Sequence, residues 1–451
     1  MRLSDYSQSG GRGLFRRDRR LFDQRGTFTF TIPDGVTKVW AFAIGAGGGG
    51  GTADEDTDGM LGGGKGGGYA SGIISGLTPG NTLTLTVGSG GVGGKGLSSA
   101  ATAGGNTTVV GGSTTYLQGG GGGGASSTVV TSDPGDQKGQ GGSASTNSVT
   151  DAYTAAGGGD GNWYIDQEAD NETPRIVTGG SASGSPFGTG MGGGKSVGLF
   201  EASTGGGGWT QRDYEHDSWA VSEADLSSEV SRTSLAMALP GYGSHTPPQF
   251  FYIGSSWDYK TTLRGGNGRT AKGKSSLFPA YWNGAVYDDN KSIPIDNLLN
   301  FHSYVDGEDG NPFWWFPWEL DGGGGAGVKT LTNSSNGSYN SRAWVGGNGG
   351  PGAGGGGILQ YSSNTSVPAG RSNTAQYDSQ MFCIGGNGGF GAGGGSSFLD
   401  IYDDNQPHDH VAVGGNGGNG GGGGSARADK TSTENLAIGG NGGDGCIGIY
   451  W

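Results

Sequence analysis

The sequence predicts a mainly β fold, a β-sandwich-like sheet merged with a bundle of glycine-rich polyproline-II-type helices that carry variable loops. Three observations predict it. Alternating, strand-length segments stand near both ends of the chain, glycine supplies 107 of 451 residues in a few dense runs, and one apolar-GGNGG motif recurs four times in the C-terminal third. Glycine at this level reads at first as low complexity or disorder. The 11 Trp, 17 Tyr and 16 Phe argue against that, because solvated linkers carry few aromatics. Collagen is excluded by the missing G-X-Y period and the scarcity of proline, 15 residues in all. An ordered glycine costs about 0.5–1 kcal/mol relative to alanine. So many need a steric reason, and the expected one is backbone packed on backbone with no room for a Cβ.

The first element, residues 1–26, is read as a basic docking arm. Residues 1–25 hold seven arginines (Arg2, Arg12, Arg16, Arg17, Arg19, Arg20, Arg25) against Asp5, Asp18 and Asp23, a net of +4. The chain as a whole carries −14, which leaves −18 for the remainder. An acidic body disfavours nucleic acid and points the arm at an acidic protein partner. The arm runs on into polar sequence rather than an apolar segment, so no secretion signal is expected. No apolar run approaches the roughly 20 residues that span a bilayer, so no membrane insertion is expected either.

Residues 27–124 read as a strand-rich glycine scaffold. Thr27–Ile32 and Thr37–Ile44 alternate on either side of Pro33-Asp34-Gly35, which predicts a hairpin. Gly45–Gly51 follows directly. Further strands are expected at Tyr69–Ser75 and Thr82–Val87, around Thr78-Pro79-Gly80-Asn81, and at Thr107–Val110 and Thr114–Leu117 before Gly119–Gly124. Residues 125–344 read as aromatic-rich inserted segments. Nine of the 11 tryptophans lie between Trp163 and Trp344, densest at Phe313-Trp314-Trp315-Phe316-Pro317-Trp318. A helix is considered at Ser222–Leu239, where Ser222 and Asp225 occupy capping-box positions.

Residues 345–451 form the repeat scaffold. Val345, Ile384, Val413 and Ile438 each precede GGNGG, at spacings of 39, 29 and 25 residues. A plain solenoid would keep its period. Fixed glycine rods joined by loops of free length would not, and a three-residue-per-turn extended helix is the conformation such rods can take. The motif asparagines Asn348, Asn387, Asn416 and Asn441 are expected to hydrogen-bond locally. Cys446–Trp451 closes the chain as a strand pairing back into the sheet. Cys383 and Cys446 are too few for a disulfide framework and read as buried free thiols.

Candidate chemistry is sparse. Gly268–Ser275 satisfies the P-loop pattern, but a polar segment precedes it and Pro279 follows, so no nucleotide site is assigned. Asp54, Asp56 and Asp58 match the first half of a calcium loop. Position twelve is Lys65 instead of a bidentate glutamate, which leaves a solvated acidic loop as the competing reading. His408-Asp409-His410 reads either as a metal-binding cluster or as an exposed loop. No nucleophile elbow, zinc-protease helix or Cys–His constellation is present, so no enzyme activity and no cofactor are expected. Aromatic segments offer rigid faces to carbohydrate or protein; the competing reading is that they cover the flanks of the scaffold. The best tip candidates are Tyr361–Tyr377 and Asp400–His410. They make Tyr361, Tyr377, Tyr402, His408 and His410, with Trp314, Trp315 and Trp318, the candidate receptor-binding residues.

FTIPDGVTKVWAFAIGAGGGGG, GGGYASGIISGLTPGNTLTLTVGSGGVGG, TYLQGGGGGG and the closing GGNGGDGCIGIYW together resemble the glycine-rich domain of bacteriophage tail-fibre proteins. The alternation of glycine motifs with divergent segments is similar in style to the tail-tip adhesins of T-even-like phages. The resemblance covers about residues 27–124 and 345–451. It implies a non-enzymatic virion protein that displays loops for host attachment. The implied partners are other virion proteins through the N-terminal arm, a polysaccharide or outer-membrane protein on the host, and further copies of the chain in a homotrimer. Two alternatives stand beside it: a purely structural tail or capsid protein, and an extracellular glycine-rich matrix protein.

Overall fold

The computed structural model describes residues 18–125 apart from 55–58 and 97–99, residues 141–159, and most of 175–209. It also describes most of 343–362, residues 382–401, 411–428 and 436–451, and the short strands 163–164, 249–252, 263–264 and 328–331. Among these residues the protein is mainly β, with no helix. The segment considered for a helix, 222–239, lies outside them.

Eleven strands come from the N-terminal part: β1 (Arg19–Phe22), β2 (Gly26–Thr31), β3 (Lys38–Ile44), β4 (Thr52–Asp54), β5 (Gly59–Leu61), β6 (Tyr69–Ser75), β7 (Thr82–Val87), β8 (Thr107–Gly111), β9 (Thr114–Gly119), β10 (Ala144–Thr146) and β11 (Thr150–Ala155). One antiparallel sheet has the order β10-β9-β8-β7-β2. The second has the order β1-β26-β3-β6-β11, where β26 is the C-terminal strand Cys446–Tyr450. Strand alternation explains how the two face each other. Val39, Ala41 and Ala43 of β3 and Ile447 and Ile449 of β26 share a core with Phe30, Leu83, Leu85, Val87, Val109 and Leu117 of the other sheet. Trp40, Phe42, Ile44, Cys446 and Tyr450 fall on the opposite face, in a second cluster.

The hairpin expected at Pro33-Asp34-Gly35 does not form. β2 pairs with β7, and β3 pairs with β6 and β26, so this turn carries the chain from one sheet to the other. The turn at Thr78–Asn81 does the same for β6 and β7, and Ile32 N–H donates to the Asn81 carbonyl at 2.8 Å. Turn chemistry announces a reversal of direction; the partner across the reversal is set by which faces bury together. The expected strands of residues 107–117 do pair as a hairpin, β8 with β9.

The remaining strands are β12 (Trp163–Tyr164), β13 (Arg175–Val177), β14 (Ser196–Val197), β15 (Glu201–Ser203), β16 (Gln249–Tyr252), β17 (Leu263–Arg264), β18 (Val328–Leu331), β19 (Ala343–Val345), β20 (Ile358–Ser362), β21 (Phe382–Ile384), β22 (Ser397–Ile401), β23 (Val411–Val413), β24 (Ala426–Ala428) and β25 (Leu436–Ile438). They build parallel sheets ordered β16-β18-β20-β22-β24-β4, β17-β19-β21-β23-β25 and β15-β13-β5, and the pair β12-β14.

Glycine segments join the antiparallel and parallel parts. Their amides follow a three-residue cycle of partners. Gly45 and Gly48 donate to the carbonyls of Gly68 and Lys65, Ala46 and Gly49 to those of Gly105 and Thr102, and Gly47 and Gly50 to those of Gly443 and Gly440. The segment 45–50 therefore has neighbours on three sides, and its one side chain is the fully buried methyl of Ala46. A Cβ built on Gly47 would overlap the Gly421 carbonyl, one on Gly50 the Gly424 carbonyl, and one on Gly422 the Gly64 carbonyl. The steric reason expected for the glycines is thus met by backbone-on-backbone packing.

Candidate functional site

The first three C-terminal repeats are hairpins built on a parallel strand at either end, and the fourth runs from β25 directly into the antiparallel strand β26. The chain leaves β21, runs out through Gly385–Gly389, turns, and returns through Ala392–Ser396 into β22. The turn falls at Gly391, and the equivalent turns at Gly352 and Gly420; these three have φ of +78°, +79° and +79°, a left-handed conformation that favours glycine. Within a hairpin the limbs bond each other: Gly395 N–H donates to Gly386 and Gly424 N–H to Gly415, both at 2.8 Å. Ser397 Oγ, at the start of β22, donates to the Cys383 carbonyl of β21 at 2.9 Å and ties the two strands together.

Hairpins stack in parallel with a three-residue rhythm. Gly346, Gly349, Gly352 and Gly355 donate to the carbonyls of Ile384, Asn387, Phe390 and Gly393, and Gly385, Gly388, Gly391 and Gly394 to those of Val413, Asn416, Asn419 and Gly422. The unequal motif spacing is absorbed outside the hairpins, between the end of one returning strand and the start of the next outgoing one.

The motif asparagines form a ladder along the exposed edge of this stack. Asn348 Oδ1 accepts from Asn387 N–H at 2.8 Å, Asn387 Oδ1 from Asn416 N–H at 2.9 Å, and Asn416 Oδ1 from Asn441 N–H at 2.8 Å. Asn441 Oδ1 accepts from Gly93 N–H at 3.0 Å, and Asp444 Oδ1 from Gly90 N–H at 2.8 Å. Residues 88–96 of the N-terminal part therefore close the last rung. Sequence reading identified the asparagines but expected local bonds; their partners lie 39, 29, 25 and 348 residues away, on the neighbouring rungs and the cap. The signal was hidden, because residues 88–94 look like one more glycine run.

Strand register aligns the ends from which the variable segments depart. Phe251, Thr330, Gln360, Leu399, Ala428 and Asp54 occupy one row across β16, β18, β20, β22, β24 and β4. One step on, Tyr361 pairs with Asp400. Segments 363–381, 402–410, 429–435 and 55–58 all begin just past this row. The two tip candidates thus start from adjacent strands. Tyr361 lies on β20, and Asp54 ends β4. Tyr377, Tyr402, His408, His410, Trp314, Trp315, Trp318, Asp56 and Asp58 lie outside the described residues, as does the P-loop-like segment. Among the described residues no group of His, Cys, Asp and Glu could hold a metal ion, and no helix is long and apolar enough to cross a membrane.

Three further features were not legible in the sequence. Trp209 is buried at the junction of bundle and sheet, with Nε1 donating to Ser183 Oγ at 2.9 Å and its ring edge-on to Phe390 at 5.5 Å. Arg427 of β24 is fully buried, its guanidinium 5.5 Å from the centre of the Phe398 ring. β1, drawn from the end of the basic arm, is an edge strand on β26, with the Arg20 guanidinium 5.0 Å from the Phe22 ring. Both cysteines are buried and free, and burial pushes their thiols well above the ordinary thiol range.

No curated protein matches this chain. Residues 23–214, which take in the sheet β10-β9-β8-β7-β2, the strands β3, β6 and β11 of the second sheet and the first glycine segments, match the family model of the glycine-rich domain.

Proposed function

We propose that this is a non-enzymatic virion protein of a bacteriophage, a tail-fibre or tail-tip component that displays variable segments for attachment to the host surface. One observation carries the reading: stacked hairpins of nearly constant core send all their connecting segments from one aligned row of strand ends. Such a scaffold lets those segments change in length and composition without disturbing any rung. The three-residue cycle of hydrogen-bond partners supports polyproline-II-type rods as the structural unit. Residues 1–26 would dock to other virion proteins, the displayed segments would meet a polysaccharide or outer-membrane protein, and copies of the chain would associate as a homotrimer. The chain would be made in the host cytoplasm and act in the virion.

The experiment replaces residues 402–410 by a short Gly-Ser linker and measures adsorption of the particles to host cells. Loss of adsorption with normal particle yield is expected. Unchanged adsorption would overturn display by this segment. A purely structural virion role predicts normal adsorption for every such replacement and a defect in particle assembly when the rods themselves are altered.

A further inference from the structure

Every asparagine of the ladder is followed by glycine: Asn348-Gly349, Asn387-Gly388, Asn416-Gly417 and Asn441-Gly442. Asn-Gly is the pair most prone to deamidation, because a following glycine has no side chain to obstruct ring closure. In that reaction the glycine amide nitrogen attacks the asparagine Cγ, and the side-chain nitrogen leaves as ammonia. Water then opens the resulting succinimide to aspartate or isoaspartate. All four asparagines are exposed, so water and base have access.

The structure holds both reacting groups of each pair. For Asn348, Oδ1 accepts from Asn387 N–H at 2.8 Å, while Gly349 N–H donates to the Asn387 carbonyl at 2.8 Å. For Asn387 the same two bonds go to Asn416, at 2.9 and 2.8 Å, and for Asn416 they go to Asn441, at 2.8 and 2.9 Å. Asn441 is held from the N-terminal part, by Gly93 N–H at 3.0 Å and the Gly91 carbonyl at 2.9 Å. In the first three pairs a single residue of the next rung supplies both bonds. The nucleophilic nitrogen is thereby turned toward its neighbour's carbonyl, and the electrophilic side chain is pinned by its oxygen.

We propose that the four ladder asparagines are modification sites, latent Asn-Gly deamidation centres that rung stacking keeps unreactive and that react once a rung separates. Conversion to isoaspartate then prevents restacking, whereas conversion to aspartate keeps the side-chain acceptor. Isoaspartate places an extra methylene in the backbone, which breaks the three-residue rhythm on which the neighbouring rungs depend. The ladder thus records opening of the scaffold irreversibly.

The test incubates the full chain at mildly alkaline pH, folded and in urea, and follows conversion at each site by peptide-mapping mass spectrometry. The four sites are expected to convert at least about tenfold more slowly in the folded chain, the ratio that a modest local-opening free energy imposes. Equal rates in the two states would overturn the proposal. In sub-denaturing urea, conversion and hydrogen exchange of the Gly349, Gly388, Gly417 and Gly442 amides are expected to rise together. Conversion while those amides stay protected would also overturn it.

Discussion

Glycine here is a packing residue, and its substitutions divide by what a Cβ would meet. At Gly47, Gly50 and Gly422 it would meet a carbonyl of the next segment, and neither backbone can yield without breaking its own bonds. Alanine at Gly422 is expected to cost at least about 1–3 kcal/mol, the range for overpacking a close-packed interior. At Gly80, φ is +84° and the space is open, so alanine there meets only backbone strain of about 1–2 kcal/mol. Thermal melts of G422A and G80A separate the two causes: G422A should melt lower. The ladder offers a second residue-scale test. Asn416→Ala removes the acceptor for Asn441 N–H, a loss of about 0.5–1.5 kcal/mol, whereas Asn416→Asp keeps an acceptor and should melt nearer the parent. The need for glycine could be read from composition. Which carbonyl each glycine approaches could not, because that partner ranges from four residues away, as Gly417 is from Gly421, to hundreds, as Gly47 is from Gly421.

At the scale of elements, seven of the ten strands of the antiparallel sheets were readable from side-chain alternation, whereas β1, β10 and β11 were not. β3 puts Val39, Ala41 and Ala43 in one cluster and Phe42 and Ile44 in another. Pairing was not readable: the same Pro-Asp-Gly signal serves a hairpin or a sheet-to-sheet crossing. The short parallel strands escaped sequence reading too. Three-residue pieces such as Val411–Val413 and Ala426–Ala428 carry no period and gain stability only by stacking. Trp209 is the element-scale anchor, since it fills the space above Gly391 and spans bundle and sheet. Trp209→Ala is expected to lower stability by about 3–5 kcal/mol. Trp209→Phe should recover much of that loss, leaving Ser183 without its indole donor; chemical denaturation of both variants measures the difference.

For the whole molecule, closure depends on the last strand. β26 lies between β1 and β3, and Ile447 and Ile449 complete the sandwich core. Removing residues 446–451 should abolish cooperative unfolding, and loss of the calorimetric transition checks it. Burial also makes the fold alkali-sensitive. It pushes the Tyr450 hydroxyl up to about 12 from an ordinary 10, with Arg19 opposing and Cys446 adding to the rise, and it pushes the Tyr69 hydroxyl and both thiols upward as well. The unfolded chain ionises first in each case, so stability is whole below about pH 9 and falls as pH climbs through the unfolded thiol and phenol values. Melting temperature measured from pH 8 to 12 should decline from about pH 9, and replacing Tyr450 by Phe should shallow the decline above pH 10.

The sequence by itself determined the mainly β class, seven of the sandwich strands, the steric demand behind the glycine runs and the four asparagine motifs. All of these are local, carried by side-chain alternation or by the absence of a side chain. Only the tertiary structure decided which sheet each strand joins, that residues 88–96 cap the ladder, and that Tyr361 and Asp400 stand side by side at the row where the variable segments begin. Glycine has no side chain with which to encode its neighbours. In a scaffold made of it, partner choice resides in the backbone hydrogen bonds of the assembled fold.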